Sequence, residues 1–466
     1  MEHHRSCLVC QREFISRQEI YFVGNDDRQS QYEEGSISLS GTVAMGTGVM
    51  IGAGIFALTG QIAELAGPLF PLAFIAGAIV TGLSAHSYVK MSNAWPSSGG
   101  IAMILNKCYG PGAITGGAAL LMALSMVIAE SLVARTFASY LLRPFDITSG
   151  LLIPALAVAV IVFAFLINIS GNRSVGTFSI IMAVVKIGGI ALFGIAALWS
   201  SGFAFSSAFE GGEDFGVIGF VASVALAILS FKGFTTITNS GAEVTDPHRN
   251  VGRAIAIAIT LCVVIYLLVA FAVGSSLSIE EIIAARDYSL AQAAEPALGQ
   301  IGFILTVVLA VVATASAVLA SVFAVSRMLA MLTNMELIPH SHFGMPGPIQ
   351  KHTLVYTVVI ASVLSIFFDL SRIASLGVYF YLIMDMIIHW GVYRYRREET
   401  GANTAVLFAA LIADAVVLAA FTAMKFQSDP LIVVTGFGSV IAVMAFERFY
   451  LGKWFAPLEE EHSHDQ

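Results

Sequence analysis

Apolar stretches long enough to cross a bilayer recur along almost the whole chain. A transmembrane helix needs about 20 mainly apolar residues to cross a hydrocarbon layer of ~30 Å. The observed runs are too long, and too rich in Ala, Leu, Ile and Val, for barrel strands, which alternate over about ten residues. The pattern predicts an all-α integral membrane protein of about twelve spans: 39–65, 69–92, 113–141, 151–168, 175–199, 217–241, 252–276, 302–329, 353–368, 374–393, 404–424 and 431–450.

The composition supports a membrane protein and excludes an ordinary soluble domain. Hydrophobic residues make up 57% of the chain, charged residues 12%, and the mean hydropathy is +0.83. Soluble domains carry roughly a quarter of their residues as charge. The net charge of −8 is spread over loops and the C-terminal tail, so we expect no nucleic-acid partner.

The distribution of Lys and Arg predicts the orientation in the membrane. If the N-terminus is cytoplasmic, sixteen of these residues fall on the cytoplasmic side and four on the opposite side. Positive residues are enriched in cytoplasmic loops. We therefore expect a cytoplasmic N-terminal tail (1–38), a cytoplasmic C-terminal tail (452–466) and a location in the plasma or inner membrane. The N-terminal tail has no apolar core followed by a cleavage site, so no cleavable signal peptide is predicted.

The cysteines give little evidence of metal or redox chemistry. Cys7 and Cys10 have the spacing of half a zinc site or of a redox pair, but no second pair follows at finger spacing. A disordered tail is the favoured interpretation. The spans show neither a metal-ligand spacing nor a nucleophile–base spacing, so we expect no metal, no cofactor and no enzyme.

Glycines interrupt the first span. Gly46, Gly48, Gly52 and Gly54 fall within nine residues, and each disfavours a helix by roughly 1 kcal/mol. Close helix packing explains such glycines when they share one face, but these four do not. A break at mid-membrane is therefore predicted, where bare backbone is open to a ligand.

The sixth span has an interruption of its own. Phe231-Lys-Gly-Phe234 is followed by Thr235, Thr236 and Thr238, which does not suit an unbroken lipid-facing helix. The two interrupted spans are five helices apart, so the two halves of the chain have opposite orientations. Paired interruptions at corresponding positions indicate an inverted-repeat transporter whose site lies between the breaks.

Several motifs in order resemble the amino acid–polyamine–organocation (APC) superfamily. They are Met50-Ile-Gly-Ala-Gly-Ile-Phe56, Pro96-Ser-Ser-Gly-Gly100, Phe231-Lys-Gly-Phe234, Gly241-Ala-Glu243 with Asp246-Pro-His-Arg249 and Arg253-Ala-Ile255, and Ser326-Arg327 with Leu337-Ile-Pro339. The resemblance implies a leucine-transporter-like fold of five plus five helices, with repeats at about 39–199 and 217–397 inside a transport core at 39–400. Helices eleven and twelve (401–451) then lie outside the repeats.

The resemblance also implies that an amino acid is held between the two breaks. Backbone N–H groups that begin the outer half of the first span suit a carboxylate, and carbonyls near Phe231 suit an ammonium. Ala53 lacks the hydroxyl that many relatives carry at this position, so backbone contacts must contribute more. The expected substrate-binding residues are Ile51, Gly52, Ala53, Gly54, Ile55, Phe231, Lys232, Gly233 and Phe234.

Lys186, in the fifth span, is the candidate for proton coupling. In proton-coupled relatives a lysine in this stretch stands where sodium-coupled relatives bind the ion. Burial disfavours an ammonium, so a buried lysine can release its proton near neutral pH. The alternative is a lysine that only cross-links helices one, five and eight.

Lys232 departs from the family pattern, because many relatives carry an uncharged residue there. Two cations ~6 Å apart repel by roughly 3 kcal/mol at an effective dielectric of about 20, so we expect neutral or acidic substrates. Alternatively Lys232 points away and pairs with an acid such as Glu130, or it carries the proton itself.

Five other ionisable residues within the spans are candidates for a role. Glu130 and Arg135 are five residues apart on the third span, where a structural pair is favoured over a substrate or proton role. Asp385 and His389, at i and i+4 on the tenth span, favour an ion pair near the cytoplasmic surface over a proton relay. Asp414 has no assigned role.

Together these features predict a proton-coupled amino acid transporter. The alternatives are an uncoupled exchanger of amino acids or polyamines and, from another class, a transporter-like nutrient sensor that signals through its tail. The sequence does not indicate an oligomeric state.

Overall fold

The computed structural model describes residues 35–97, 99–169, 175–203, 216–335, 337 and 349–454, so Cys7 and Cys10 lie outside the described residues. Nearly all of this part of the chain is helical, and its only β-bridge joins Ile37 to Val244. The helices are α1 (Leu39–Met50), α2 (Phe56–Ala66), α3 (Phe70–Ala94), α4 (Gly100–Tyr109), α5 (Ala113–Leu142), α6 (Leu152–Ile169), α7 (Val175–Ser200), α8 (Val217–Phe231), α9 (Phe234–Asn239), α10 (Pro247–Ser276), α11 (Ile279–Ala284), α12 (Ser289–Asn334), α13 (Ile349–Phe367), α14 (Leu370–Gly391), α15 (Arg397–Thr400), α16 (Thr404–Ser428) and α17 (Pro430–Trp454).

Helices coincide with every apolar stretch that the sequence predicts to span the membrane. Ten helical segments of the described residues are long and apolar enough to cross a bilayer, and two shorter apolar helices, Leu39–Met50 and His352–Phe367, accompany them. The all-α membrane fold is therefore confirmed. The number of crossings and the two inverted repeats remain predictions.

Three helical segments form the interior of the bundle. In the most apolar part of each segment, the buried share of the residues is 83% for α5 and 78% for both α8–α9 and α14. The corresponding share is only 28% for α6 and for α17. The outer helices expose large apolar side chains such as Phe163 and Phe449. Contiguous apolar surface of this kind needs an apolar environment, which lipid supplies.

Local backbone features set where α12 bends. Gly299 has a φ of 68°, three residues after Pro296. Proline cannot donate a backbone hydrogen bond, and glycine adopts positive φ without strain. The predicted eighth span, 302–329, therefore begins just beyond this bend.

A segment formed by α11 and the turn after it covers the end of α2. A side chain at Gly60 would overlap the backbone of Arg286, so only glycine permits this contact. Arg286 pairs with Glu64, and Gln61 Nε2 donates to Asp287 Oδ1 at 2.8 Å. Burial raises the pKa of the Asp287 carboxyl, an effect that Arg286 opposes. These contacts close the predicted extracellular end of the first span.

The opposite end is covered by the chain just before α1. Ile37 N donates to Glu243 O at 2.8 Å, and Thr245 N donates to Ile37 O at 2.9 Å. Next to this pairing, Asn239 Oδ1 accepts a hydrogen bond from Ile101 N at 3.2 Å. The predicted cytoplasmic end is therefore closed as well.

Candidate functional site

The first span is interrupted at the predicted place, but by a π-helical turn rather than by an open break. Residues Ile51–Ile55 form this turn between α1 and α2. π-helical turns are rare in proteins, and those that occur often lie at functional sites. The glycine pattern therefore predicts the position of the interruption correctly, while its form is more compact than expected.

The glycines of the first span face different neighbours, as the sequence predicts. A Cβ added to Gly46 would lie 2.5 Å from Ile237 of α9, and one added to Gly52 would lie 2.6 Å from Ala317 of α12. At Gly54 an added Cβ would lie 2.6 Å from Ser230 O. The absence of side chains therefore lets the interrupted span approach several helices at once.

The sixth span is interrupted at Lys232 and Gly233, between α8 and α9. Tight-turn hydrogen bonds carry the chain across it, from Lys232 N to Leu229 O at 3.3 Å and from Thr235 N to Lys232 O at 3.0 Å. A Cβ on Gly233 would lie 2.7 Å from Met50 N, at the end of α1. The two interruptions are therefore in direct contact.

Tyr266 of α10 links the two interrupted spans, and the sequence analysis did not identify it. Its hydroxyl lies 2.7 Å from Met50 O and 3.0 Å from Ser230 O, and its ring packs on Phe231 with centroids 4.9 Å apart. The hydroxyl also lies where a side chain on Gly54 would be. A single tyrosine in an apolar run gives no periodic signal, so only the fold reveals this contact.

A cavity of about 60 Å³ lies at the junction of the interrupted spans. Of the predicted substrate-binding residues, Lys232 and Gly233 line it. Side chains that the sequence analysis did not assign to the site complete the lining: Val49, Met50, Leu58, Met126, Ala129, Leu132, Leu229, Ser230, Thr235, Thr236, Ala320, Ser321 and Ala324.

The other predicted substrate-binding residues are packed against neighbouring helices. Ile51 and Ile55 are fully buried, and Phe231 stacks on Tyr266 as described above. Phe234 meets the ring of Tyr88 edge-on, with centroids 5.2 Å apart. Ala53 belongs to the π-helical turn, and its side chain lies outside the described part of the structure.

Lys232 is buried at the cavity, with 6% of its surface exposed. Its ammonium donates to Ser125 Oγ of α5 and lies 5.5 Å from the centre of the Tyr381 ring. Among the described residues it has no ion-pair partner. The alternative in which Lys232 pairs with Glu130 is therefore wrong.

Lys186 lies where helices α1, α7 and α12 converge. Its Nζ donates to Gly48 O at 3.3 Å, and a Cβ on Gly52 would lie 3.6 Å from the same nitrogen and 2.6 Å from Ala317. The side chain is 3% exposed and has no ion-pair partner in the described ranges. Lys186 therefore contacts the first span from the fifth, close to Ala317 of the eighth, and its role in proton coupling stays a prediction.

The predicted pair of Glu130 and Arg135 is not formed. Arg135 Nη1 donates to Ser365 O at 2.7 Å instead. Glu130 is fully buried, and its carboxyl oxygens have no hydrogen-bond partner among the described residues. The i, i+5 spacing places the two side chains on different faces of α5, which explains why the pairing fails.

A larger groove of about 650 Å³ lies away from this junction, along α14, α16 and α17. Its lining is almost entirely apolar, and its polar members are Thr422 and Gln427. A zwitterion needs partners for two charged groups. This groove therefore does not suit an amino acid, and the smaller cavity between the interrupted spans is the better candidate.

Comparisons with known proteins agree with a multi-pass membrane fold. Residues 37–446 match the family model described as amino acid permease. The chain is 30% identical over 376 residues to the inner membrane transport protein YbaT of Escherichia coli strain K12, a match covering 78% of this chain and 84% of that protein. It is 27% identical over 391 residues to the vacuolar cationic amino acid transporter 2 of Arabidopsis thaliana, covering 78% and 60% respectively. A match to the methylthioribose transporter of Bacillus subtilis strain 168, 28% identical over 247 residues, covers 48% and 51%.

The helical fold, its lipid-facing surface and these matches define a multi-pass membrane transporter rather than an enzyme. The chain belongs to the amino acid permease family of the APC superfamily. The resemblance inferred from the sequence motifs is therefore confirmed.

Proposed function

We propose that this protein is a secondary active transporter that uses a proton gradient to move neutral or acidic amino acids across the plasma or inner membrane. Both termini then lie in the cytoplasm. The observation that carries the proposal is the buried Lys186 beside the interrupted first span, which has no ion-pair partner among the described residues. The test is uptake of labelled amino acids into proteoliposomes with and without a pH gradient.

The two interruptions supply opposite partial charges for the two ends of an amino acid. In our proposal the π-helical turn opens when substrate enters, and the N–H groups at the start of α2 then face the substrate carboxylate. The end of α8, at Phe231, presents the negative end of a helix dipole, which favours the ammonium. Because a Cβ added to Gly54 would lie 2.6 Å from Ser230 O, the two segments are close enough to hold one small zwitterion.

Alternating access is supported by contacts that cover both ends of the first span. The Arg286 segment covers the end of α2, and the pairing of Ile37 with Glu243 covers the start of α1. A cavity of about 60 Å³ has room for only a few water molecules. In our proposal each cover opens in turn as the two five-helix repeats, 39–199 and 217–397, move relative to each other.

The surroundings of Lys186 support proton coupling. An ammonium away from water is costly unless it is paired, and its one hydrogen-bond partner among the described residues is the carbonyl of Gly48. Protonation therefore strengthens a contact between α7 and the interrupted span, and deprotonation weakens it. A proton that enters and leaves Lys186 would thereby bias the position of the first span.

The same contact is compatible with a second candidate function, an uncoupled amino acid exchanger. If Lys186 stays charged throughout the cycle, it acts as a fixed cross-link between α1 and α7. Family membership does not distinguish a proton-coupled transporter from an exchanger. The names of the relatives state a substrate, such as cationic amino acids or methylthioribose, and no coupling mode. Only the response of uptake to a proton gradient distinguishes them.

Lys232 is expected to select against cationic substrates, because its buried ammonium at the cavity would repel the additional positive charge that their side chains carry. Neutral amino acids should compete for wild-type uptake at least tenfold better than arginine, lysine or putrescine, in line with about 3 kcal/mol of repulsion at ~6 Å. Lys232→Met should reduce this preference.

The matched control is Lys425→Met, which removes a half-buried lysine on α16. It should leave the competition pattern unchanged. Stronger competition by arginine, lysine or putrescine in the wild type would show that the selectivity proposal is wrong.

A further inference from the structure

Three ionisable side chains meet inside the bundle, away from the substrate cavity. Asp385 and His389 belong to α14, and Asp414 belongs to α16. All three side chains are fully buried. Sequence spacing predicts only an ion pair between the first two, because Asp414 reaches the cluster through the packing of α16 on α14.

The distances within this cluster differ from those of an ordinary ion pair. His389 Nε2 lies 3.5 Å from Asp385 Oδ2 and 3.3 Å from Asp414 Oδ2. Neither contact has the geometry of a hydrogen bond, so His389 Nε2 and both oxygens of Asp414 have no partner in the described structure. One ligand atom from each residue lies within 4.8 Å of the others.

These separations match the edges of a metal coordination polyhedron. In a tetrahedral Zn²⁺ site with bonds of about 2.0–2.1 Å, neighbouring ligand atoms are about 3.3–3.4 Å apart. Imidazole nitrogen and carboxylate oxygen are both common zinc ligands. The cluster thus has three ligands of suitable type. Both separations from His389 Nε2 are close to a tetrahedral edge, and the two carboxylates offer oxygens within 4.8 Å of each other.

Neighbouring hydroxyl groups orient two of the three ligands. Asp385 accepts hydrogen bonds at 2.5 Å from Ser84 Oγ and from Tyr88 Oη, both on α3. Ser87 Oγ lies 2.8 Å from His389 Nδ1. Metal-bound histidines usually form a hydrogen bond through the second ring nitrogen, and metal-bound carboxylates are also held by such partners.

The charges and the unpartnered atoms of the cluster suit a dication. A protonated His389 would compensate only one of the two carboxylates, and an uncompensated charge is very costly away from water. Asp385 has hydroxyl partners, but Asp414 has none among the described residues. A divalent ion bound to both carboxylates and a neutral imidazole would give a neutral site and would provide a partner for His389 Nε2 and for the Asp414 carboxylate.

We propose that Asp385, His389 and Asp414 bind a divalent transition-metal ion of the Zn²⁺ type. The ion would join α14 and α16, with α3 supplying the hydroxyl groups that orient its ligands. Through Tyr88, whose ring contacts Phe234, the site would also fix the start of α9. The expectation of no metal rested on sequence spacing, which does not register ligands brought together from separate helices.

The test measures metal directly on the purified, tag-free full-length protein and needs no transport assay. After equilibration with micromolar Zn²⁺ and removal of free metal, the wild type should retain one more equivalent than Asp414→Asn. Any metal bound by cysteine or histidine in the terminal tails is the same in both proteins, so it does not affect the difference between them. Asp414→Asn and His389→Gln should each weaken binding at this site at least a hundredfold, and Ser87→Ala about tenfold.

The matched control is Glu447→Gln, which changes another buried and unpartnered carboxyl outside the cluster. It should retain the wild-type equivalent. Co²⁺ in place of Zn²⁺ should show the visible spectrum of tetrahedral nitrogen and oxygen ligation, without the thiolate band that Cys7 and Cys10 would give.

Equal metal content in the wild type and Asp414→Asn would overturn the proposal. So would a wild type that binds no Zn²⁺ at micromolar concentration while remaining monodisperse. If Asp414→Asn instead altered only the pH profile of uptake, the cluster would hold a proton and not a metal.

Discussion

Replacing Gly54 with valine is expected to abolish substrate binding, with a loss of affinity of at least about 100-fold, or about 2.7 kcal/mol. The first added carbon would lie 2.6 Å from Ser230 O and would overlap the hydroxyl of Tyr266. That hydroxyl lies within hydrogen-bond distance of Met50 O and Ser230 O. A larger residue must therefore separate the two interrupted spans at the point where the substrate is proposed to bind.

Gly82→Val is the matched control for this change. Gly82 lies in α3, is exposed, and has no atom within 4 Å of an added Cβ. Equilibrium binding of a labelled amino acid to both variants, each checked for a monodisperse peak in detergent, separates loss of the site from loss of the fold. Wild-type binding by Gly54→Val would show that the substrate does not bind at this junction.

Replacing Lys186 with alanine is expected to remove proton-driven accumulation while leaving exchange of internal for external substrate. The ammonium that contacts Gly48 O would be gone, and with it the group proposed to carry the proton. Accumulation under an imposed pH gradient should fall at least about tenfold, towards the level of equilibration. Counterflow should continue, because it needs only the reorientation of the loaded site.

Lys425→Ala serves as the control for loss of a half-buried lysine away from the proposed site and should accumulate substrate normally. Accumulation by Lys186→Ala that still follows the pH gradient would assign the proton to another group. Lys232 would then be the next candidate, since it is also buried and unpaired among the described residues. A wild type that requires sodium would exclude both lysines as coupling residues.

The features that the sequence predicts well are those that leave a mark along a single span. Apolar length gives the positions of the helices, and the glycines of the first span give the position of the π-helical turn at Ile51–Ile55. The sequence Phe231-Lys-Gly-Phe234 likewise marks the end of α8 and the start of α9. In each case the residues visible in the sequence, the glycines or the Lys-Gly pair, are the same residues at which the helix is interrupted.

The features that the sequence does not predict depend on packing between distant spans. Tyr266 and Asp414 each stand alone in an apolar run, and only the arrangement of helices gives them partners. The Glu130–Arg135 pairing was wrong because the i, i+5 spacing places the two side chains on different faces of α5, and the guanidinium donates to Ser365 O of a neighbouring helix instead. The sequence of a single span contains no pattern that specifies these contacts with other helices.

Uptake of a panel of labelled amino acids into proteoliposomes of the wild-type protein tests the proposed function most directly. With an inward proton gradient and no sodium, neutral or acidic amino acids should accumulate above their external concentration, and dissipating the gradient should release them. Cationic amino acids and putrescine should accumulate poorly. Uptake that only equilibrates under the same gradient, or that requires sodium, would contradict proton-coupled transport.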